Sequence, residues 1–195
     1  MAANIIDINK VDIATIDKKE VFAIDTNVLI WTHYSKASNP SLRLNTYQVN
    51  DYPNFIDKLL SNGNKIVTTY LNLSELCGVV ERNEYRIYKA LHGMGNNFKI
   101  KDFRDVSEAR NDYKVELKNM LLEINATYDS NIDIVEVNDK VIKNFSEGID
   151  DHKCDVFDYA IIQYLKSINI YNYISDDKDY STIDGINLYR SLQPI

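Results

Sequence analysis

VFAIDTNVLIW (residues 21–31) runs apolar, turns polar at Asp25-Thr26-Asn27, and turns apolar again. Its first four residues fit a strand buried on both faces, the pattern of a parallel sheet covered by helices. A carboxylate, a hydroxyl and an amide at the strand exit have two readings. They form a turn, or they are the first piece of a metal site. The remaining segments bear on that choice.

KIVTT (65–69), IDIVEV (132–137), IYNYIS (170–175) and INLYR (186–190) read as further strands. Between them lie helical spacings. DYPNFIDKLLSN (51–62) places Phe55, Ile56, Leu59 and Leu60 on one face, with Gly63 as C-cap. Further helices are predicted at about Asn72–Val80, about Glu84–Leu91, 105–127, DKVIKNFSEGI behind an Asn138 cap, and 156–167. HGMGNN (92–97) breaks the helical pattern. Strands alternating with helices predict an α/β fold: a parallel β-sheet flanked by helices on both faces, an α/β/α sandwich. Residues 1–20 read as an irregular or lightly structured arm, and residues 21–195 as a single domain.

Composition narrows the function classes. The 195 residues are 45% hydrophobic and 26% charged, as in an ordinary soluble domain with a real core. No apolar run approaches the roughly 18 residues that cross a membrane, and no secretory signal pattern opens the chain. Cys77 and Cys154 stand far apart and read as reduced thiols of a cytoplasmic protein. His33, His92 and His152 are too scattered for structural zinc. The net charge of −7 opposes electrostatic coating of nucleic acid. Residues 81–118 nevertheless hold nine Lys/Arg against seven Asp/Glu, a local basic excess. The fourteen tyrosines read mainly as packing residues, with base stacking a second use.

In parallel α/β sheets chemistry gathers beyond the C-terminal strand ends. Asp25 and the pair Asp176-Asp177 sit at such ends. Glu75 follows KIVTT in a helix's first turn, and Asp158 opens the helix DYAIIQYLKS. Each has a local explanation: a turn, a capping box, a helix cap, a solvated acidic loop. Those explanations do not account for all four falling on one edge. Crowded carboxylates repel and raise one another's pKa, and a hard divalent cation relieves that repulsion. No phosphate-cradling glycine loop is present, so metal-assisted hydrolysis fits better than nucleotide binding or hydride transfer.

Four blocks in order resemble the PIN-domain ribonuclease family, including the VapC-like toxins. They are VFAIDTNVLI, TTYLNLSEL, DYAIIQYLKS and ISDDKDYSTIDGINLY, spread over residues 21–190. The resemblance implies an endoribonuclease that uses Mg²⁺ or Mn²⁺ to hydrolyse phosphodiester bonds in RNA. Carried over by position, its acids are Asp25, Glu75, Asp158 and Asp177. Asp176 competes with Asp177, and Asp155 is an additional candidate ligand. Thr26 and Asn27 would orient the first carboxylate or a metal-bound water, and Ser175 would do the same for Asp177. The toxin of a toxin–antitoxin pair is one form such a protein takes, with an antitoxin and a second copy of the chain as further partners. The chain differs from compact toxins in its leader and in a helical insertion at about 82–130. Arg82, Arg86, Lys89, Lys99, Lys101 and Arg104 of that insertion are candidates to carry the RNA backbone. The alternative is a non-catalytic module that keeps the fold and binds RNA or protein. An aspartyl-nucleophile phosphatase fits poorly, because Asn27 stands where its second Asp is needed.

Overall fold

The computed structural model describes residues 2–128, 132–135 and 153–192. Six parallel strands form one sheet: β1 (Asn4–Asp7), β2 (Val21–Ile24), β3 (Lys65–Thr69), β4 (Ile132–Val135), β5 (Asn172–Ile174) and β6 (Asn187–Arg190), in the order β1-β6-β5-β2-β3-β4. The helices are α1 (Thr26–His33), α2 (Thr46–Asn62), α3 (Tyr70–Leu91), α4 (Ile100–Asp105), α5 (Ser107–Tyr128) and α6 (Val156–Ser167). The parallel α/β architecture expected from the alternation is the one observed.

Alternation along the central strands builds two cores. Phe22, Ile24, Ile66, Ile174 and Tyr189 point to one face and pack with α1, α2, α3 and α5. Ala23, Val67, Tyr173 and Leu188 point to the other and pack with α6. Both faces of the sheet are therefore covered, which is why these strands read as continuous apolar runs.

The order of strands creates a switch point. From β2 the chain winds outward through β3 and β4, then returns to place β5 against the other side of β2. Ile24 of β2 lies in register with Ile174 of β5, so Asp25 and Ser175 leave the sheet side by side. Ligands in open parallel sheets sit at such points.

Four expectations need correction. The N-terminal segment is not simply an irregular arm, because Asn4–Asp7 pairs with β6 at the sheet edge. The two helices expected at about 72–80 and 84–91 are one continuous α3, whose N-cap Thr69 accepts from the Asn72 backbone N–H over 3.2 Å. The helix expected over 105–127 starts at Ser107, with the short α4 before it. The helix expected at 51–62 begins a turn and a half earlier, at Thr46 under a capping box of Asn45 and Gln48. Pro53 then lies inside α2, where it forgoes the bond to the Val49 carbonyl. Gly63 ends that helix at φ 91°, a left-handed conformation that glycine adopts without penalty. The helix expected after Asn138 lies outside the described residues.

Candidate metal centre

Asp25 follows β2 and stands at the N-cap position of α1, but its side chain makes no capping bond. Its Oδ2 instead accepts from the Ser175 hydroxyl over 2.8 Å, and it also accepts the Thr26 backbone N–H. This carboxylate is therefore held both by its own turn and, more strongly, by a residue 150 positions away in sequence. Ser175 Oγ in turn accepts the Asp177 backbone N–H over 3.0 Å. One fully buried hydroxyl thus links the ends of β2 and β5. Ser175 orients Asp25 rather than the Asp177 carboxylate. The latter accepts the Asp179 backbone N–H at 2.8 Å.

Glu75 lies in the second turn of α3, not the first. Its Oε2 accepts from the Thr26 hydroxyl at 2.8 Å. Asn72 donates from Nδ2 to the same hydroxyl at 3.2 Å, and its Oδ1 accepts from Thr69 Oγ1 at 2.6 Å. Thr26 therefore positions Glu75 through its side chain and Asp25 only through its backbone. Asn27 is exposed and, among the described residues, its side chain has no hydrogen-bond partner.

Asp158 is the third residue of α6 and does not cap it. Asp155 is the cap, accepting the Asp158 backbone N–H over 2.9 Å. The Asp158 carboxyl accepts instead from the buried Tyr180 hydroxyl. Sequence reasoning assigned no role to Asn72 or Tyr180. Asn72 stands three residues before Glu75, one helical turn away, and that spacing was the available signal.

The electrostatics tie these groups together. Burial pushes the Asp25 carboxyl up to about 6, helped by the charges of Glu75 and Asp177 and opposed by the Ser175 bond. Burial pushes Asp158 up to about 7, helped by Asp25, Asp155 and Glu75 and opposed by Tyr180. Asp25, Glu75, Asp158 and Asp177 thus feel one another, as clustered carboxylates do. Burial, then the charges of Asp158, Asp155 and Asp177, drive the Cys154 thiol up to about 12, so it is not a thiolate nucleophile.

Asp176 belongs elsewhere. It accepts from Tyr47 Oη (2.8 Å), Gln48 Nε2 (3.0 Å) and Tyr52 Oη (2.8 Å), and Arg190 Nη2 stands 3.5 Å away. Its carboxylate is turned to α2, whereas Asp177 is the neighbour whose charge acts on Asp25.

Glu75, Gly78, Arg82, Asp155, Phe157 and Asp158 line a cleft of about 440 Å³ between α3 and α6. A cavity of about 20 Å³ lies under Asp25, bordered by Thr68, Asn72 and Tyr180. Thr68 Oγ1 is buried there without a hydrogen-bond partner among the described residues. Among the described residues no group of three or more His, Cys, Asp or Glu is arranged to hold a metal ion directly. The all-oxygen donor set of carboxylates fits a hydrated Mg²⁺ or Mn²⁺. Such ions need only one or two direct carboxylates and keep several waters.

Of the six basic candidates, only Arg82 lines this cleft. Arg86 and Lys89 lie further along α3. Arg104 is consumed by Glu81, at 2.6 Å and 2.8 Å. Lys99 Nζ donates to the Asn96 carbonyl at 2.7 Å, and Lys101 is exposed on α4.

Among the described residues no helix is long and apolar enough to cross a membrane, and Cys77 and Cys154 are free thiols. No protein-family model matches the chain, and no curated protein matches it. The chain is similar to the crystal structure of VapBC2 from Rickettsia felis bound to a DNA fragment from its promoter. That similarity has a TM-score of 0.49 at 14% identity, over 87% of this chain and 98% of that one.

Proposed function

We propose that the chain is a Mg²⁺- or Mn²⁺-dependent endoribonuclease working at the β2/β5 switch point. The observation that carries the reading is the gathering of acids at one edge of the sheet, with Asp25 held by Ser175, Glu75 by Thr26 and Asp158 by Tyr180. Two half-buried carboxyls, raised to about 6 and about 7 mainly by loss of water, stand with Glu75 and Asp177, and among the described residues none of the four has an ion-pair partner.

Asp25 and Asp158 would hold the cation directly, with Asp177 and Glu75 reaching it through water. When bound, the cation supplies the positive charge that offsets the carboxylates and stabilises charge developing on the scissile phosphate. Ser175 and Tyr180 fix the Asp25 and Asp158 carboxylates by one hydrogen bond each. Glu75, steadied by Thr26, accepts the proton of the attacking water at a carboxylate oxygen. Arg82, at the opposite end of the cleft, meets the phosphate that the acids repel. Phe157, 62% exposed on the rim, offers a face to an unpaired base. A cytoplasmic setting suits the free thiols. The toxin role and an antitoxin partner rest on the sequence resemblance, and dimerisation is a further proposal without a surface assigned to it.

The test is cleavage of single-stranded RNA with and without Mn²⁺. The reading expects metal-dependent cleavage that Asp158→Asn abolishes. A second reading, the non-catalytic RNA- or protein-binding module, is favoured by the absence of a ready-made three-ligand cluster among the described residues. It expects binding without cleavage and no thermal shift on adding Mn²⁺.

A further inference from the structure

The basic stripe of α3 does not stop at the cleft. At 100° per residue, Glu75, Arg82, Arg86 and Lys89 fall within about 60° of one another on one face of the helix. Lys89 lies about 21 Å along the axis from Glu75 at 1.5 Å per residue. Beyond Arg82 the stripe enters a second, open groove of about 970 Å³, lined by Arg43, Arg86, Lys89, Leu42, Gly93 and Met94 among others. Its second wall is the 3₁₀ turn Pro40–Leu42, closed by Arg43 in a left-handed conformation at φ 57°.

Three features set this groove apart. No acidic residue lines it, in a chain whose net charge is −7. Among the described residues, Arg43, Arg86 and Lys89 have no ion-pair partner, whereas Arg104 and Arg110 both pair with Glu81 and Lys36 pairs with Glu84. Lys89 makes only a cation–π contact, 5.8 Å from the Tyr85 ring centre. Three cations left facing solvent in one groove raise the local potential well above that of the surrounding surface.

We propose that α3 is a phosphate track for single-stranded RNA, running from the acidic cleft past Arg82 to an anion-binding groove made by Arg43, Arg86 and Lys89. The inference rests on the ribonuclease reading for the identity of its strand. At 3.4 Å of rise per nucleotide the 21 Å from Glu75 to Lys89 accommodates about six nucleotides of a stacked strand. The strand is single because the cleft rim presents exposed Phe157 for an unpaired base. The groove contributes length-dependent, sequence-tolerant affinity, since phosphate contacts carry no base information.

The experiment uses the full chain carrying Asp158→Asn, so that bound RNA persists, with fluorescein-labelled oligouridylates of two and eight nucleotides. The triple variant Arg43→Gln/Arg86→Gln/Lys89→Gln is compared with Lys18→Gln/Lys19→Gln/Lys58→Gln, which removes equal charge from exposed positions elsewhere. For the eight-nucleotide strand the track variant is expected to bind roughly tenfold or more weakly. The slope of log K against log[salt] should fall by about 2, at about 0.7 per lost phosphate contact. The two-nucleotide strand is too short to respond. Identical behaviour of the two triple variants overturns the track, and equal loss for a duplex of the same length overturns the single-strand assignment. Cleavage by the Asp158-intact chain is followed in parallel with Mn²⁺. Cleavage with unmoved binding removes the track alone, and moved binding without cleavage removes the ribonuclease reading alone.

Discussion

Ser175 holds Asp25: its hydroxyl donates to Asp25 Oδ2 across 2.8 Å from the neighbouring strand end. Through this bond β5 fixes the acid of β2, and the sheet register between Ile24 and Ile174 is what makes the bond short. Ser175→Ala should cost about 1 kcal/mol of stability, the net worth of such a bond. It should also raise the Asp25 pKa further, because the bond favours the charged form. Mn²⁺ affinity should fall by about 10–100-fold, as for other groups that orient a ligand. Urea unfolding measures the first effect, the pH dependence of Mn²⁺ titration the second, and the titration itself the third.

Asp176 and Asp177 are adjacent yet should respond oppositely. Asp176 neutralises Arg190 and satisfies two tyrosine hydroxyls. Asp176→Ala strands a mostly buried guanidinium and should destabilise the fold by about 3–5 kcal/mol, with metal affinity kept in the folded fraction. Asp177→Ala should weaken metal affinity with a much smaller loss of stability. Thermal unfolding alongside Mn²⁺ binding separates the two, and the reverse pattern would reassign the acid.

Asp25 and Asp158 have folded pKa values of about 6 and about 7, above the ordinary 3.8. Between about pH 4 and pH 7 the native protein keeps protons that the unfolded chain has released. Stability therefore declines as pH rises through that window. The cost is absent below about pH 4 and complete above about pH 7. Buried His33, whose pKa is lowered by burial, works in the opposite direction. The relevant quantity is thus the Tm difference between wild type and Asp25→Asn/Asp158→Asn. Without metal the double variant should be the more stable at pH 8, and its advantage should shrink towards pH 4. Mn²⁺ should stabilise only the wild type.

Much of this arrangement was legible in the sequence. VFAI, KIVTT, NYI and NLYR announce themselves as strands because both their faces are buried. The acids at their exits were readable from the same runs. What failed has identifiable causes. The break assumed in α3 comes from Glu81, Asn83 and Glu84, polar residues on its buried side. They stay there because partners distant in sequence satisfy two of them. Glu81 meets Arg104 and Arg110, and Glu84 meets Lys36 and the Tyr34 hydroxyl at 2.6 Å. β1 went unrecognised because NIID is a half-buried edge strand whose pairing with β6 is wholly non-local. The role of Asp176 was invisible for the same reason, since Tyr47, Gln48 and Tyr52 approach it from α2. Arg43 gave no signal, because only the folded chain brings the Pro40–Leu42 turn against α3.

The central claim is that Asp25 and Asp158 share a divalent cation. Calorimetric titration of the metal-free protein with Mn²⁺ near pH 7 tests it most directly. The account predicts saturable one-site binding with net proton release, because the raised carboxyls must give up their protons as the ion enters. Asp25→Asn should abolish that binding in a chain that still unfolds cooperatively. An absence of saturable heat in the wild type, or binding that Asp25→Asn leaves unchanged, would contradict the account.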